Sequence, residues 1–68
     1  MNLTLVLNGE RRIMEAVRTV AELVAALGLD ARKVAVERNL EIVPRSAYGR
    51  TELAEGDQVE IVHFIGGG

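Results

Sequence analysis

The chain has 68 residues, including ten acidic and eight basic side chains, one histidine, seven glycines and no cysteine. This length permits one domain with a modest core, which buries roughly 60% of the surface that the unfolded chain exposes. The absence of cysteine excludes disulfides, thiolate metal sites and cysteine nucleophiles. The net charge of -2 argues against a nucleic-acid or membrane-surface binder, because such proteins carry a basic patch.

The beginning of the chain predicts a β-hairpin. Leucines at every second position, Leu3, Leu5 and Leu7, indicate a strand with one buried face. Asn8-Gly9 is a strong hairpin signal, because both residues tolerate positive φ, and a second strand should run through roughly Arg11 to Val17. No signal peptide and no membrane span are visible, so we expect a cytoplasmic protein.

The next segment predicts one short helix. Thr19 and Glu22 have the spacing of a capping box, and Gly28 stands where a left-handed residue ends a helix. Between them, apolar residues at helical spacing form one stripe that must pack on a sheet: Val20, Leu23, Val24 and Leu27.

Three further strands follow. The third begins at Val34, and Asn39-Leu40 predicts a turn into a short fourth strand, 41–43, which Pro44 places at an edge or end of the sheet. Residues 45–55 read as a polar connection in which Leu53 is the residue expected to reach inward. The last strand should run from Gln58 to Ile65.

The order β-β-α-β-β-β predicts an α+β fold, a mixed sheet with one main helix packed across it, and the ubiquitin-like β-grasp is the compact solution. We expect residues 1–65 to form this domain and residues 66–68 to form a flexible glycine tail. Burial of its long apolar run favours a central position for the last strand, beside the first. Val62 and Phe64 should then lie on the outer face, where they suggest a docking patch.

The sequence offers little for catalysis. His63 is the only imidazole, its neighbours are apolar, and the acidic residues are explained by turns, capping or solvation. We therefore expect no catalytic residue, no metal site and no cofactor bound by the chain itself. The three closing glycines, Gly66, Gly67 and Gly68, instead suggest a thin thread that presents its terminal carboxylate to an ATP-dependent enzyme.

The chain resembles the thiamine-biosynthesis sulfur carrier proteins over essentially its whole length, and the specific part of the resemblance is the second half. The resemblance rests on Ile42-Val43-Pro44-Arg45, Gly56-Asp57 and the Gly-Gly ending in register, with Val34 to Asn39 before them. It implies that an E1-like adenylating enzyme, using ATP and Mg²⁺, activates Gly68. A cysteine desulfurase or other donor then supplies sulfur, and the resulting thiocarboxylate delivers it to thiazole synthase. The resemblance also implies that Val62, Phe64 and Ile65 contact these partners.

Other readings of the same glycine ending stay open. The chain could carry sulfur for molybdopterin synthesis, tRNA thiolation or cysteine synthesis, or be a ubiquitin-like modifier joined through Gly68 to lysines of other proteins. A plain interaction domain with an incidental tail is a further alternative.

Overall fold

The computed structural model describes residues 2–64 and contains five strands, one α-helix and two short 3₁₀ helices. The strands are β1 (Asn2–Leu7), β2 (Glu10–Glu15), β3 (Val34–Arg38), β4 (Glu41–Val43) and β5 (Gln58–His63). The α-helix is α1 (Val20–Ala26), and the 3₁₀ helices are Ala31–Lys33 and Arg45–Ala47. The predicted order β-β-α-β-β-β is confirmed, with the two 3₁₀ turns as additions.

The first hairpin forms around the predicted turn. Asn8 and Gly9 both have positive φ, 50° and 82°, as a two-residue turn between twisted strands requires. β2 starts one residue earlier and ends two residues earlier than predicted, because Ala16, with φ of 58°, turns the chain out of the strand. Val17 nevertheless enters the core, with 3% of its surface exposed.

α1 has the predicted ends. The Glu22 amide donates to Thr19 Oγ1 at 3.2 Å, and Glu22 Oε1 accepts from the Thr19 amide at 3.1 Å, which completes the capping box. At the other end, Gly28 has φ of +74°, and the Leu29 amide donates to the Val24 carbonyl at 3.1 Å. This Schellman ending directs the chain back toward the helix. Of the predicted apolar stripe, Val20, Leu23 and Val24 are buried and Leu27 is half-buried.

The sheet has the strand order β2-β1-β5-β3-β4. β5 is therefore central, parallel to β1 and antiparallel to β3, as its apolar run predicted. β4, which ends before Pro44, lies at an edge as expected. The helix and five-stranded mixed sheet form the predicted ubiquitin-like β-grasp fold.

The connection between β4 and β5 is more ordered than its polar sequence suggests. Leu53 is buried as predicted, but Tyr48 is buried too, with 4% exposure, and its hydroxyl donates to the Val34 carbonyl at 3.4 Å. The core thus contains residues from the helix, four strands, this connection and the link between β2 and α1: Leu5, Leu7, Val17, Val20, Leu23, Val24, Val34, Val36, Val43, Tyr48, Leu53, Val59 and Ile61.

Candidate functional site

The candidate site is the carboxyl end of β5, from which the glycine tail continues. The strand ends at His63, two residues earlier than predicted, and the predicted site residues Ile65, Gly66, Gly67 and Gly68 lie outside the described residues. Val62 and Phe64 are 59% and 53% exposed, as predicted for the outer face. Their neighbour Ile61 is buried, so β5 has one face in the core and one in solvent.

A buried carboxylate holds the beginning of β5. Asp57 accepts from Arg38 Nε and from the Ala54 amide, both at 2.8 Å, and from the Asn39 side-chain amide at 3.1 Å. Burial raises the pKa of this carboxyl, but the hydrogen bonds from Arg38, Ala54 and Asn39 more than offset it, and the net pKa is lowered. The cluster ties the β3–β4 turn to the start of β5.

In the middle of β5, a side chain forms the hydrogen bonds that a neighbouring strand would otherwise form. β1 pairs with β5 only as far as Leu7, opposite Val59. Beyond that point, Asn8 Oδ1 accepts from the Ile61 amide at 2.8 Å, and Asn8 Nδ2 donates to the Ile61 carbonyl at 3.2 Å. The side-chain amide of Asn8 thereby pairs with the N–H and the C=O of Ile61, which β1 no longer reaches.

The end of β5 is held from the other side. The Phe64 amide donates to the Lys33 carbonyl at 2.7 Å, so the position of residue 64 is set by the 3₁₀ helix before β3. Phe64 also lines an open groove of about 370 Å³. The rest of the lining is mostly apolar, with two arginines: Ala31, Arg32, Val34, Ala35, Val36, Ile42, Val43, Pro44, Arg45 and Tyr48.

The described residues do not bring metal-ligating side chains together. His63 is exposed at the strand end. Within residues 2–64, no three His, Asp or Glu side chains lie close enough together to hold a metal ion. No helix in this part of the chain is long and apolar enough to cross a membrane.

Sequence reasoning missed two exposed apolar residues of the β3–β4 hairpin. Leu40 is 84% exposed and has φ of 70°, and Ile42 is 75% exposed. A bulky residue rarely adopts positive φ, so an exposed leucine in this conformation is an unusual choice for a turn. The sequence Asn39-Leu40-Glu41-Ile42 could have predicted the exposure of Ile42. Side chains alternate along a strand, so Ile42 must point outward when Val43 of the short edge strand is buried.

Comparison with known proteins places this structure in a family. The family model described as the ThiS family matches residues 5–68. The chain belongs to the ThiS family. The sulfur carrier protein ThiS of Bacillus subtilis is 46% identical over 50 residues, which cover 74% of this chain and 76% of that protein.

A solved ThiS-family structure has the same fold. The thiamine biosynthesis protein (ThiS) of Geobacter metallireducens is 39% identical, with a TM-score of 0.76 and full coverage of both chains. Longer proteins match as well: a thiazole synthase of Paramagnetospirillum magneticum is 59% identical over 64 residues, which cover 94% of this chain. The chain spans only about a fifth of the length of the two thiazole synthases that it matches over most of its own length, 20% and 19%.

Proposed function

We propose that this ThiS-family chain is a sulfur carrier of thiamine biosynthesis and acts as a substrate of other enzymes. The observation that carries the proposal is the match to the family, which extends through the closing glycines to residue 68. The relative from Bacillus subtilis, named a sulfur carrier protein, supports it over three quarters of both chains.

The proposed chemistry takes place at the α-carboxylate of Gly68. An adenylating enzyme of the E1-like type, with ATP and Mg²⁺, joins a carboxylate oxygen to the α-phosphate and releases pyrophosphate. AMP is then a good leaving group. The terminal sulfur of a persulfide, formed by a cysteine desulfurase, displaces AMP and gives an acyl disulfide, which a protein thiol reduces to the thiocarboxylate while a disulfide forms on the donor. A donor of sulfide would displace AMP directly and need no reductant. The product is a thiocarboxylate, which requires no cysteine in the carrier.

The fold fixes the position of β5, the strand that precedes the glycine tail. Asp57, Asn8 and the Lys33 carbonyl hold the beginning, middle and end of β5. Residues 65–68 continue from a strand whose direction is therefore fixed. Three consecutive glycines carry no side chains, so they can enter a narrow active site that a larger residue would block.

Thiazole synthase is the proposed acceptor of the sulfur. A segment similar to this chain forms part of longer proteins that are themselves named thiazole synthases. A carrier and the enzyme that consumes its cargo gain a high effective concentration when they share one chain. That advantage supports an interaction between this chain and thiazole synthase, and we propose the cytoplasm as the compartment of both.

Deletion of Gly68 tests the proposal in cells. We expect the deletion to produce thiazole auxotrophy, and the full chain to restore growth without thiazole. A requirement for molybdopterin or a loss of tRNA thiolation, with thiazole synthesis intact, would instead assign the carrier to another pathway. Isopeptide adducts on lysines of other proteins would assign it to the protein modifiers.

A further inference from the structure

β2 lies at one edge of the sheet, and its outward side is uncovered by the described part of the chain. The strand order begins with β2, which pairs with β1 alone. Apart from β1, nothing within residues 2–64 hydrogen-bonds to the backbone of this strand. Its side chains are exposed as well, except Met14, which packs partly against the core. An edge strand of this kind presents a row of backbone groups that can pair with another strand.

The first turn decides which backbone groups of β2 face outward. In a two-residue turn, the residue after the turn, here Glu10, donates its amide to the carbonyl of the residue before the turn. Hydrogen-bonded and non-hydrogen-bonded pairs then alternate along the hairpin, so Arg12 also bonds to β1. The N–H and C=O groups of Arg11, Ile13 and Glu15 therefore point to the open edge.

These outward-facing residues are complementary to a second copy of themselves. Their side chains share one face of the sheet, because Met14 between them faces the core. When two copies of β2 lie antiparallel with Ile13 opposite Ile13, Arg11 of each copy is opposite Glu15 of the other. This register also aligns the outward-facing backbone groups as hydrogen-bonded pairs. Neither charged side chain forms an ion pair within residues 2–64, where the bridges involve other residues.

Charge favours this register over its neighbours. If the two strands shift by two residues, Arg11 and Glu15 lie opposite Ile13 or beyond the end of the strand. A shift by four residues places like charges directly opposite each other, which is destabilising. The same charges thus oppose unspecific pairing at this edge and permit one alignment.

We propose that β2 pairs with β2 of a second copy of this chain, so that two sheets join edge to edge in a symmetric dimer. Ile13 of each copy packs against Ile13 of the other, which accounts for an isoleucine that is 67% exposed on the edge strand. Such an interface uses the same surface on both copies, and it therefore closes at two. β1 separates β2 from β5, so the dimer leaves the carboxyl end of β5 uncovered. The dimer does not depend on the proposed function.

The affinity should be low, because one pair of strands buries much less than the roughly 1,200 Å² of a stable complex. We expect a Kd of about 0.1–1 mM, which sedimentation equilibrium can measure on the full chain. A protein that remains monomeric at about 1 mM would overturn the proposal.

An exchange of charges tests the register. Arg11→Glu and Glu15→Arg each place like charges opposite each other when two copies of the same variant pair. We expect each variant alone to dimerise at least about tenfold more weakly than the unchanged protein. An equimolar mixture of the two restores both ion pairs and should dimerise within about threefold of the unchanged protein. Arg12→Glu is the matched control, since it changes the net charge equally but lies on the other face, and its Kd should change by less than about threefold.

These measurements can contradict the proposal directly. Dimers that are equally tight in Arg11→Glu, or a mixture that associates no better than either variant alone, would show that association uses another surface. Both variants should keep a Tm within a few degrees of that of the unchanged protein, because residues 11 and 15 are exposed.

Hydrogen exchange tests the backbone pairing without any substitution. At about 1 mM protein, exchange at the amides of Arg11, Ile13 and Glu15 should be about two- to fivefold slower than at about 10 µM, because it proceeds from the monomer. The amides of Arg12 and Met14 already bond to β1 and should change by less. Equal effects on both sets of amides, or no effect of concentration, would overturn the pairing of β2 with β2.

Discussion

The Asn8 side chain takes the place of a strand beside β5, and its removal is the sharpest test of how the fold holds this strand. Asn8→Gly keeps a residue that accepts the φ of 50° at this turn position, so the hairpin itself should survive. The substitution removes both hydrogen bonds to Ile61, the 2.8 Å bond from its amide and the 3.2 Å bond to its carbonyl.

The expected loss follows from these two bonds. Each contributes about 0.5–1.5 kcal/mol net, and relief of the left-handed conformation offsets part of the loss, so we expect the free energy of unfolding to fall by about 1–2 kcal/mol. For a domain of this size the corresponding decrease in Tm is roughly 5–15 °C. Asn8→Asp keeps the acceptor for the Ile61 amide but not the donor. Its Tm should therefore lie between those of the unchanged protein and Asn8→Gly.

The assay combines thermal unfolding, followed by circular dichroism, with hydrogen exchange at the Ile61 amide. Protection of this amide should decrease in Asn8→Gly by more than the global change in stability accounts for. A Tm within 2 °C of that of the unchanged protein corresponds to a loss of less than about 0.5 kcal/mol. Such a small change, together with unchanged protection of the Ile61 amide, would show that the Asn8 side chain does not hold β5.

The remaining predictions concern both ends of β5. Asp57→Ala leaves Arg38 without its carboxylate and should lower the free energy of unfolding by about 2–4 kcal/mol in urea titrations; a loss below about 1 kcal/mol would refute the role given to this cluster. Because the pKa of Asp57 is lowered in the folded state, its contribution is complete above about pH 4 and decreases as the pH falls through the folded-state pKa. Stability measured between pH 5 and pH 2 should therefore fall more steeply for the unchanged protein than for Asp57→Ala, and parallel curves would contradict this. Phe64→Asp should weaken binding of the adenylating enzyme while Tm changes by only a few degrees, since Phe64 is 53% exposed; global unfolding would show that Phe64 belongs to the core.

Local patterns in the sequence were enough to predict most of the fold. The alternation of Leu3, Leu5 and Leu7, the Asn8-Gly9 turn and the Thr19–Glu22 capping box depend on neighbours within a few residues, and the structure confirms each of them. The central position of β5 was expected from its long apolar run, and Val59 and Ile61 are buried with 0% and 8% exposure.

Features that depend on distant contacts could not be predicted in this way. Tyr48 lies in a polar segment, and it is buried because the 3₁₀ helix after Pro44 directs it toward Val34. The second role of Asn8 depends on where β1 stops relative to β5, which only the register reveals. Glu37 of β3 likewise lies opposite Glu60 of β5, a pairing that no local pattern in the sequence predicts.

The central claim concerns the α-carboxylate of Gly68, and the mass of the C-terminal peptide tests it most directly. The protein is purified from its own cells, and a second sample is incubated with ATP, the adenylating enzyme and a sulfur donor; a variant without Gly68 is the control. We predict that the peptide ends at Gly68 and gains the mass of one oxygen replaced by one sulfur, and that the control gains none. A peptide that continues beyond Gly68, or an unchanged mass under conditions in which a known carrier is converted, would contradict the account.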